Sequence, residues 1–303
     1  MFVIEFKLIE KGDKKIFDEF YSARYYENAH FTFTNQYMWH KPYNIQWAVE
    51  NDVLYMITRW QDKVSMLQPL GAEDKMQGAI ANIVDWFKSQ EQDEKFIIGL
   101  DRTFVEELKR FPDAKFDIKT KIDDYDYVYL AEDLINLSGR KYHAKKNHLN
   151  GFRKNYPMAN YLTITSEIIP KCKEELQNWY ELRLPELPDD PFLEDEHNAI
   201  IEILDNFDDF NLKGGAIELD GKVIAFTFGE RLNSDTAVIH VEKADPEIHG
   251  AYAAINHDFL VNEWSDMKYI NREEDMGLEG LRKAKESYNP VKMIEKFSAK
   301  ILI

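Results

Sequence analysis

The sequence predicts an α+β protein of two tandem domains, each a mixed, mostly antiparallel sheet flanked by helices. Three observations carry that reading. The chain has 303 residues, about twice the ~150 of a common domain. Apolar residues make up 44% and charged residues 31%, a balance that fills a core and keeps a polar surface. The order of elements also runs through the chain twice: helix, three-strand meander, helix, strand, helix, strand.

The first pass begins with a helix over 16–29. Short strands follow at 45–49, 53–58 and 63–67, with a turn at Glu50-Asn51-Asp52. Met76, Ala79, Ile80, Ile83, Val84 and Phe87 recur at helical spacing, the mark of a helix with one apolar face. A strand at 96–100, a short helix at 104–110 and a strand at 125–131 complete it. Ser138 is placed to cap a helix over 139–156, which Pro157 stops. The second pass has a strand at 161–165 and helices at 172–182 and 199–207. A hairpin joins 215–219 to 223–230 across Asp220-Gly221, a strong turn signal. Then come a strand at 236–242, a helix at 251–264, a strand at 268–271, a helix at 278–287 and a last strand region at 292–301. The expected domains are 1–138 and 139–303.

Composition removes several function classes. The single cysteine, Cys172, leaves no internal disulfide framework and no cysteine-based metal site. It lies on an apolar helical face, which reads as core. Histidines do not cluster at ligand spacing, so no metal site is expected. The longest apolar runs are about five residues, far below the ~20 of a membrane span. The N-terminus lacks the apolar core of a signal peptide. The expectation is a cytoplasmic protein with no integral membrane segment. A net charge of −17 argues against coating duplex DNA. Screening confines surface fields to about 10 Å, so a local basic site stays compatible with that total.

The element order is that of the GNAT acyltransferase fold. The residues add a narrower resemblance. They are the stretch Ser138-Gly139-Arg140-Lys141-Tyr142 running on to Phe152, and Asp245-Pro246 followed by Gly250-Ala251-Tyr252. They also include Asn271-Arg272-Glu273-Glu274-Asp275-Met276-Gly277, and Gly280-Leu281-Arg282 running on to Ser287-Tyr288-Asn289-Pro290. Together these resemble the C-terminal domain of phosphatidylglycerol lysyltransferases over nearly the whole chain. The resemblance implies two GNAT-like domains, as in Fem-type transferases, and transfer of an aminoacyl group from a charged tRNA to an amine or hydroxyl. It implies aminoacyl-tRNA as co-substrate, with no permanently bound cofactor. The acceptor would be a small molecule or a lipid headgroup. The lysyltransferases carry a membrane-spanning N-terminal part, which this sequence does not show.

Four constellations could carry chemistry. The helix at 139–156 holds Arg140, Lys141, Lys145, Lys146, Arg153 and Lys154, with no acid between Asp133 and Glu167. Tyr142, Leu149, Phe152 and Tyr156 form its apolar stripe at ~100° per residue. Lys145 projects from that stripe, with Lys146 and Arg153 on its border. Lys145, Lys146 and Arg153 are therefore candidate phosphate or tRNA contacts; the alternative is a solvated basic face with Lys145 paired to a buried acid. In the second, Gly250 and Ala251 open a helix where GNAT enzymes hold a pyrophosphate. Glu247 beside them would repel one, and a packed turn explains the pattern as well. Acetyl-CoA is accordingly the alternative donor. The third runs from Asn271 to Asp275. Asp275 or Glu274 is a candidate proton acceptor, Arg272 a bidentate anion ligand, and Lys285 and Tyr288 candidates to steady charge or protonate a leaving group. A surface salt-bridge network is the plain alternative. The fourth is the acidic run from Glu186 to Asp209, which reads as a solvated loop and helix or as a lid for a cationic acceptor. Backbone N–H groups at 242–244 are the expected oxyanion donors. A non-catalytic binding module on the same scaffold is the reading from a different class.

Overall fold

The computed structural model describes residues 4–61, 63–185 and 192–302. It divides into two compact units: residues 1–126 with 294–303, and residues 127–293. Among the described residues no helix is long and apolar enough to cross a membrane.

The first unit holds strands β1 (Lys7–Leu8), β2 (Gln46–Glu50), β3 (Val53–Trp60), β4 (Lys63–Leu67), β5 (Phe96–Leu100) and β6 (Lys115–Thr120). Its helices are α1 (Lys14–Ser22), α2 (Phe33–Met38), α3 (Met76–Lys88) and α4 (Arg102–Arg110). The apolar face of α3 is buried as its spacing predicts. Ile80, Ile83 and Phe87 pack in one cluster with Tyr55, Ile57 and Met66 of the sheet.

The second unit holds β7 (Asp126–Leu130), α5 (Ala131–Asn136), α6 (His143–Asn155), β8 (Asn160–Thr163), α7 (Ile169–Arg183) and α8 (Leu193–Asp205). It continues with β9 (Lys213–Leu219), β10 (Lys222–Arg231), β11 (Thr236–Ala244), α9 (Ala251–Glu263), β12 (Tyr269–Asn271), α10 (Glu279–Glu286) and β13 (Lys292–Ile294). Strand β14 (Phe297–Leu302) ends the described chain.

Both sheets have seven strands. Their orders are β1-β2-β3-β4-β5-β14-β6 and β13-β7-β12-β11-β10-β9-β8. Matched position by position, the orders are the same, with one exchange. β14, from the chain's end, stands between β5 and β6; β7, from the first half, stands between β12 and β13. Each sheet is thus completed by a strand from the other half of the chain. Both sheets are mixed: β4 runs parallel to β5 and β11 parallel to β12, among otherwise antiparallel pairs. The architecture is two mixed sheets of matching strand order, each flanked by helices.

In the helices, the one expected over 16–29 ends at Ser22, and α2 was not expected; three details of the division and the sheets also differ. The division falls at 126/127, not at 138, because β7 and α5 build the second sheet's layer. The last strand region splits into β13 and β14, in different sheets. Strand β6 had no sequence signal: Lys115-Phe116-Asp117-Ile118-Lys119-Thr120 alternates, but its charges mark an edge strand rather than a core one.

Candidate active site

The site forms where β11 and β12 part. The parallel ladder runs Thr236↔Tyr269, Ala237↔Ile270, Val238↔Asn271 and then stops. Beyond it β11 diverges toward α9, and the chain after β12 turns through 272–277. The divergence has a local cause. Against β10, Phe228 faces Val241 but Gly229 faces Ile239, so His240 is an extra residue bulged out of the ladder. Gly229 permits this: a Cβ there would lie 2.1 Å from the Val238 carbonyl oxygen.

Two ion pairs of opposite polarity bridge the opening. Arg272 donates from Nη2 to Glu242 Oε1 at 2.9 Å. The His240 ring meets Glu273 Oε1 at 2.8 Å through Nδ1 and Glu230 Oε1 at 3.0 Å through Nε2. The His240 side chain is 1% exposed. Burial works against its charge, but the two carboxylates outweigh that and push it up to about 9. It is therefore an imidazolium at neutral pH.

Around Arg272 stand two phenols and a lysine. Its guanidinium lies 4.8 Å from the Tyr288 ring centre and 5.8 Å from that of Tyr129. Lys145 of α6 places Nζ 3.9 Å from the centre of the same Tyr288 ring. Asn256 of α9 donates to Glu242 Oε2 at 2.9 Å, so both oxygens of that carboxylate are used. Arg272 Nη1 is buried with no hydrogen bond of good geometry, and the Tyr288 hydroxyl is the polar group that shares the guanidinium. Burial pushes the Tyr288 phenol up to about 12, which keeps it protonated.

The other residues singled out after β12 are the frame of this arrangement. Asp275 is fully buried. Its carboxylate takes the Tyr127 hydroxyl at 2.6 Å, the Gly277 amide at 2.8 Å and Arg282 Nε and Nη2 at 2.7 and 2.9 Å. Burial raises its pKa, but these donors win and hold it below the usual carboxylate range. A saturated carboxylate of that kind is a poor proton acceptor. Lys285 donates to the backbone carbonyls of Arg272, Glu273 and Glu274, so its ammonium ties down the turn and Glu274 enters through its carbonyl. Asp275 and Lys285 fix the backbone from which Arg272 projects.

On α6 the basic residues separate. Lys145 turns inward, half-buried. Lys146 stays exposed. Arg153 is exposed and paired with Asp258 at 2.9 Å and with His257 at 3.3 Å. Gly250, at φ +90°, lets α6 cross the start of α9: a Cβ there would meet the His148 carbonyl oxygen at 2.7 Å and Phe152 Cβ at 2.9 Å. Ala251 is buried in the cluster that α6 and α9 share. The Ala244 backbone meets the Tyr252 hydroxyl, which also accepts the Trp179 indole N–H at 2.9 Å. Of the amides at 242–244 expected to steady an oxyanion, that of Ala244 is thus already engaged. In the acidic run, Glu186, Asp189 and Asp190 lie outside the described residues, while Glu196 pairs with buried Lys243 at 2.8 Å. Among the described residues no three His, Cys, Asp or Glu side chains gather as metal ligands.

Residues 23–300 match the family described as phosphatidylglycerol lysyltransferase, C-terminal. The chain belongs to this family. A conserved protein of unknown function from Bacteroides thetaiotaomicron is 33% identical, with a TM-score of 0.91, covering 99% of this chain and 100% of that one. L-PGS from Bacillus licheniformis shares the fold at 12% identity and a TM-score of 0.67, covering 97% of this chain and 93% of that one. An uncharacterized protein from Mycoplasmoides gallisepticum is 24% identical over 190 residues, 62% of this chain and 60% of that protein. The family assignment covers every element of the site, from α6 to the end of α10.

Sequence reasoning named Arg272, Lys145 and Tyr288 but not His240, Glu230, Glu242 as a side chain, Asn256 or Tyr129. A signal was present. Strand β11 reads Thr-Ala-Val-Ile-His-Val-Glu-Lys-Ala, and three ionisable residues in four positions of a buried strand require partners.

Proposed function

We propose that this protein moves an aminoacyl group from a charged tRNA to an amine or hydroxyl acceptor, with the cluster around Arg272 as its active site. The observation that carries the reading is the buried guanidinium with an unspent donor, held on a rigid turn where the sheet opens. Donors fixed in advance and shielded from water are what a developing oxyanion needs. The acceptor atom would attack the ester carbonyl carbon, and the bond from that carbon to the ribose oxygen would break. The acceptor's proton would pass to that leaving oxygen. Arg272 Nη1 would hold the carbonyl oxygen as it gains charge, and no covalent enzyme intermediate is needed.

Tertiary packing favours RNA over acetyl-CoA as donor. The start of α9, where a cofactor pyrophosphate would sit, is crossed by the α6 backbone at His148. The outer face of α6 offers exposed Lys146 to a phosphate backbone.

The test is thermal stabilisation of the purified chain by charged tRNAs and by acetyl-CoA, followed by transfer assays with amine and hydroxyl acceptors. Charged tRNA is expected to stabilise the chain, by about 2.7 kcal/mol at a hundredfold excess over Kd. Arg272→Ala is expected to cut transfer by about 10²–10³. Low-micromolar binding of acetyl-CoA with no response to tRNA would overturn the reading.

A further inference from the structure

The charges around Lys145 do not balance. The groups facing it are Arg272 on the turn after β12, Glu242 on β11, Tyr288 after α10, and His148 on α6, itself stacked on His249 at 5.0 Å. Glu242 is the one acid in that set. Its Oε1 is taken by Arg272 and its Oε2 by Asn256. Two cations therefore share one carboxylate, and Lys145 rests on an aromatic face rather than on an anion. The cost appears on the lysine: burial first, then the Arg272 charge, push its ammonium down to about 8. Arg272 Nη1 beside it is buried with no acceptor in good geometry.

We propose that Lys145 and Arg272 together form one site for a single anionic group, a phosphate or a carboxylate. The anion takes one of the two N–H groups of Nη1, leaving the other for the ester oxygen, and supplies the missing counter-charge for Lys145. A ring face under Lys145 and a fixed turn under Arg272 leave the pair little to reorganise on binding. The site itself stands on this geometry; only the source of its anion rests on the aminoacyl-tRNA reading, where a phosphodiester near the RNA 3′ end would fill it. A carboxylate on the acceptor is the other source of the same chemistry.

An anion that binds beside Lys145 restores its ordinary basicity, so binding takes up a proton when the pH is near 8. Sulfate keeps a constant charge over pH 7–9 and is the probe. Calorimetry of the full chain with sulfate is expected to show affinity about tenfold weaker at pH 9 than at pH 7. In two buffers of different ionisation enthalpy it should show uptake of about half a proton at pH 8. Lys145→Met is expected to abolish the response. Lys145→Arg is expected to keep binding and flatten its pH dependence, which separates Lys145 from His240 at about 9. Should Lys145→Met fail to fold, the wild-type profile and Lys145→Arg decide. Sulfate affinity that is equal from pH 7 to 9, or unchanged in Lys145→Met, would overturn the proposal. Competition by a CCA trinucleotide assigns the anion to RNA, and competition by acetate alone assigns it to an acceptor carboxylate. Sulfate binding without any response to charged tRNA would sink the transferase reading and leave the site. Charged tRNA binding without sulfate binding would do the reverse.

Discussion

The two sheets open at equivalent places and fill the opening differently. In the first unit the parallel ladder of β4 and β5 ends at Leu67↔Ile98. The gap beyond it is closed by one amide. Gln68 Nε2 donates to Asp101 Oδ2 at 2.9 Å, and its Oε1 accepts the Asp101 amide at 2.7 Å. Asn28 adds a hydrogen bond to the Gly99 carbonyl at 3.2 Å. Asp101 also caps α4 through the Phe104 amide at 2.7 Å. The void left there, lined by Arg24, Gln68 and Asp101 among others, is about 10 Å³, no more than one water needs. In the second unit the opening is spanned by Arg272–Glu242 and His240–Glu273, with Lys145 left over. An amide that satisfies itself on both sides makes a strut. A charge set that does not balance keeps an unmet demand for a counter-ion. The same strand order thus closes on itself in one half and carries unbalanced charge in the other.

The largest test of this comparison removes the shared strand. Deleting 294–303 takes β14 from between β5 and β6 and uncovers the positions of Ala299 and Ile301, both buried. The loss is expected to exceed the ~5–15 kcal/mol that holds a typical domain folded. Hydrogen exchange should show the amides of β3 to β5 losing protection while those of β9 to β11 keep theirs. Unchanged protection in β3 to β5 would mean that the exchanged strand is dispensable.

Next comes Asp126→Asn. Asp126 and Lys296 pair at 2.6 Å with side chains 0% and 3% exposed, and the variant leaves the lysine buried without its charge partner. A loss of about 3–5 kcal/mol is expected in chemical denaturation. A loss under 1 kcal/mol would show that water reaches the pair.

The bridging histidine gives a pH signature that belongs to the second unit. Its folded pKa is about 9, above the ~6.5 of an unfolded histidine. Its contribution is therefore complete below about pH 6.5 and is lost as pH rises through 9, by roughly 3 kcal/mol in total. Lys145 has the opposite sign: its folded value near 8 lies below the ~10.4 of a free lysine, so stability is regained between those values. Denaturation at pH 6.5 and 8.5 should show the fall in wild type and little of it in His240→Gln. Equal slopes in both would remove the imidazolium from the bridge.

The smallest effect is on the strut. Gln68→Ala is expected to cost about 1 kcal/mol for its hydrogen bonds and to leave sulfate and tRNA affinity unchanged. A loss of affinity would show that the first unit's opening takes part in binding.

Much of this was legible from residues. Strong periodicity placed α3, and Asp220-Gly221 placed the hairpin of β9 and β10. Arg272, Lys145 and Tyr288 stood out because charge and aromatic rings recur near strand and helix ends. The roles within that group were not legible. Asp275 and Arg272 are three positions apart, yet the carboxylate is saturated by Arg282 and Tyr127 while the guanidinium keeps an unspent donor. That difference depends on a tyrosine 148 positions away, which spacing does not reveal.

Sequence alone determined most of the elements, their repeated order, the local basic helix and the family. These depend on near neighbours along the chain, where side-chain period and turn chemistry act. Only the tertiary structure decided that the last strands of the two halves are exchanged, because β7 and β14 are alike in length and apolar content and either sheet could take either. The apolar stripe of α6 already set Lys145 inward of Lys146, since adjacent residues on a helix point ~100° apart; the tertiary structure decided that it lies over Tyr288 near Arg272, which depends on how α6 crosses α9 at Gly250.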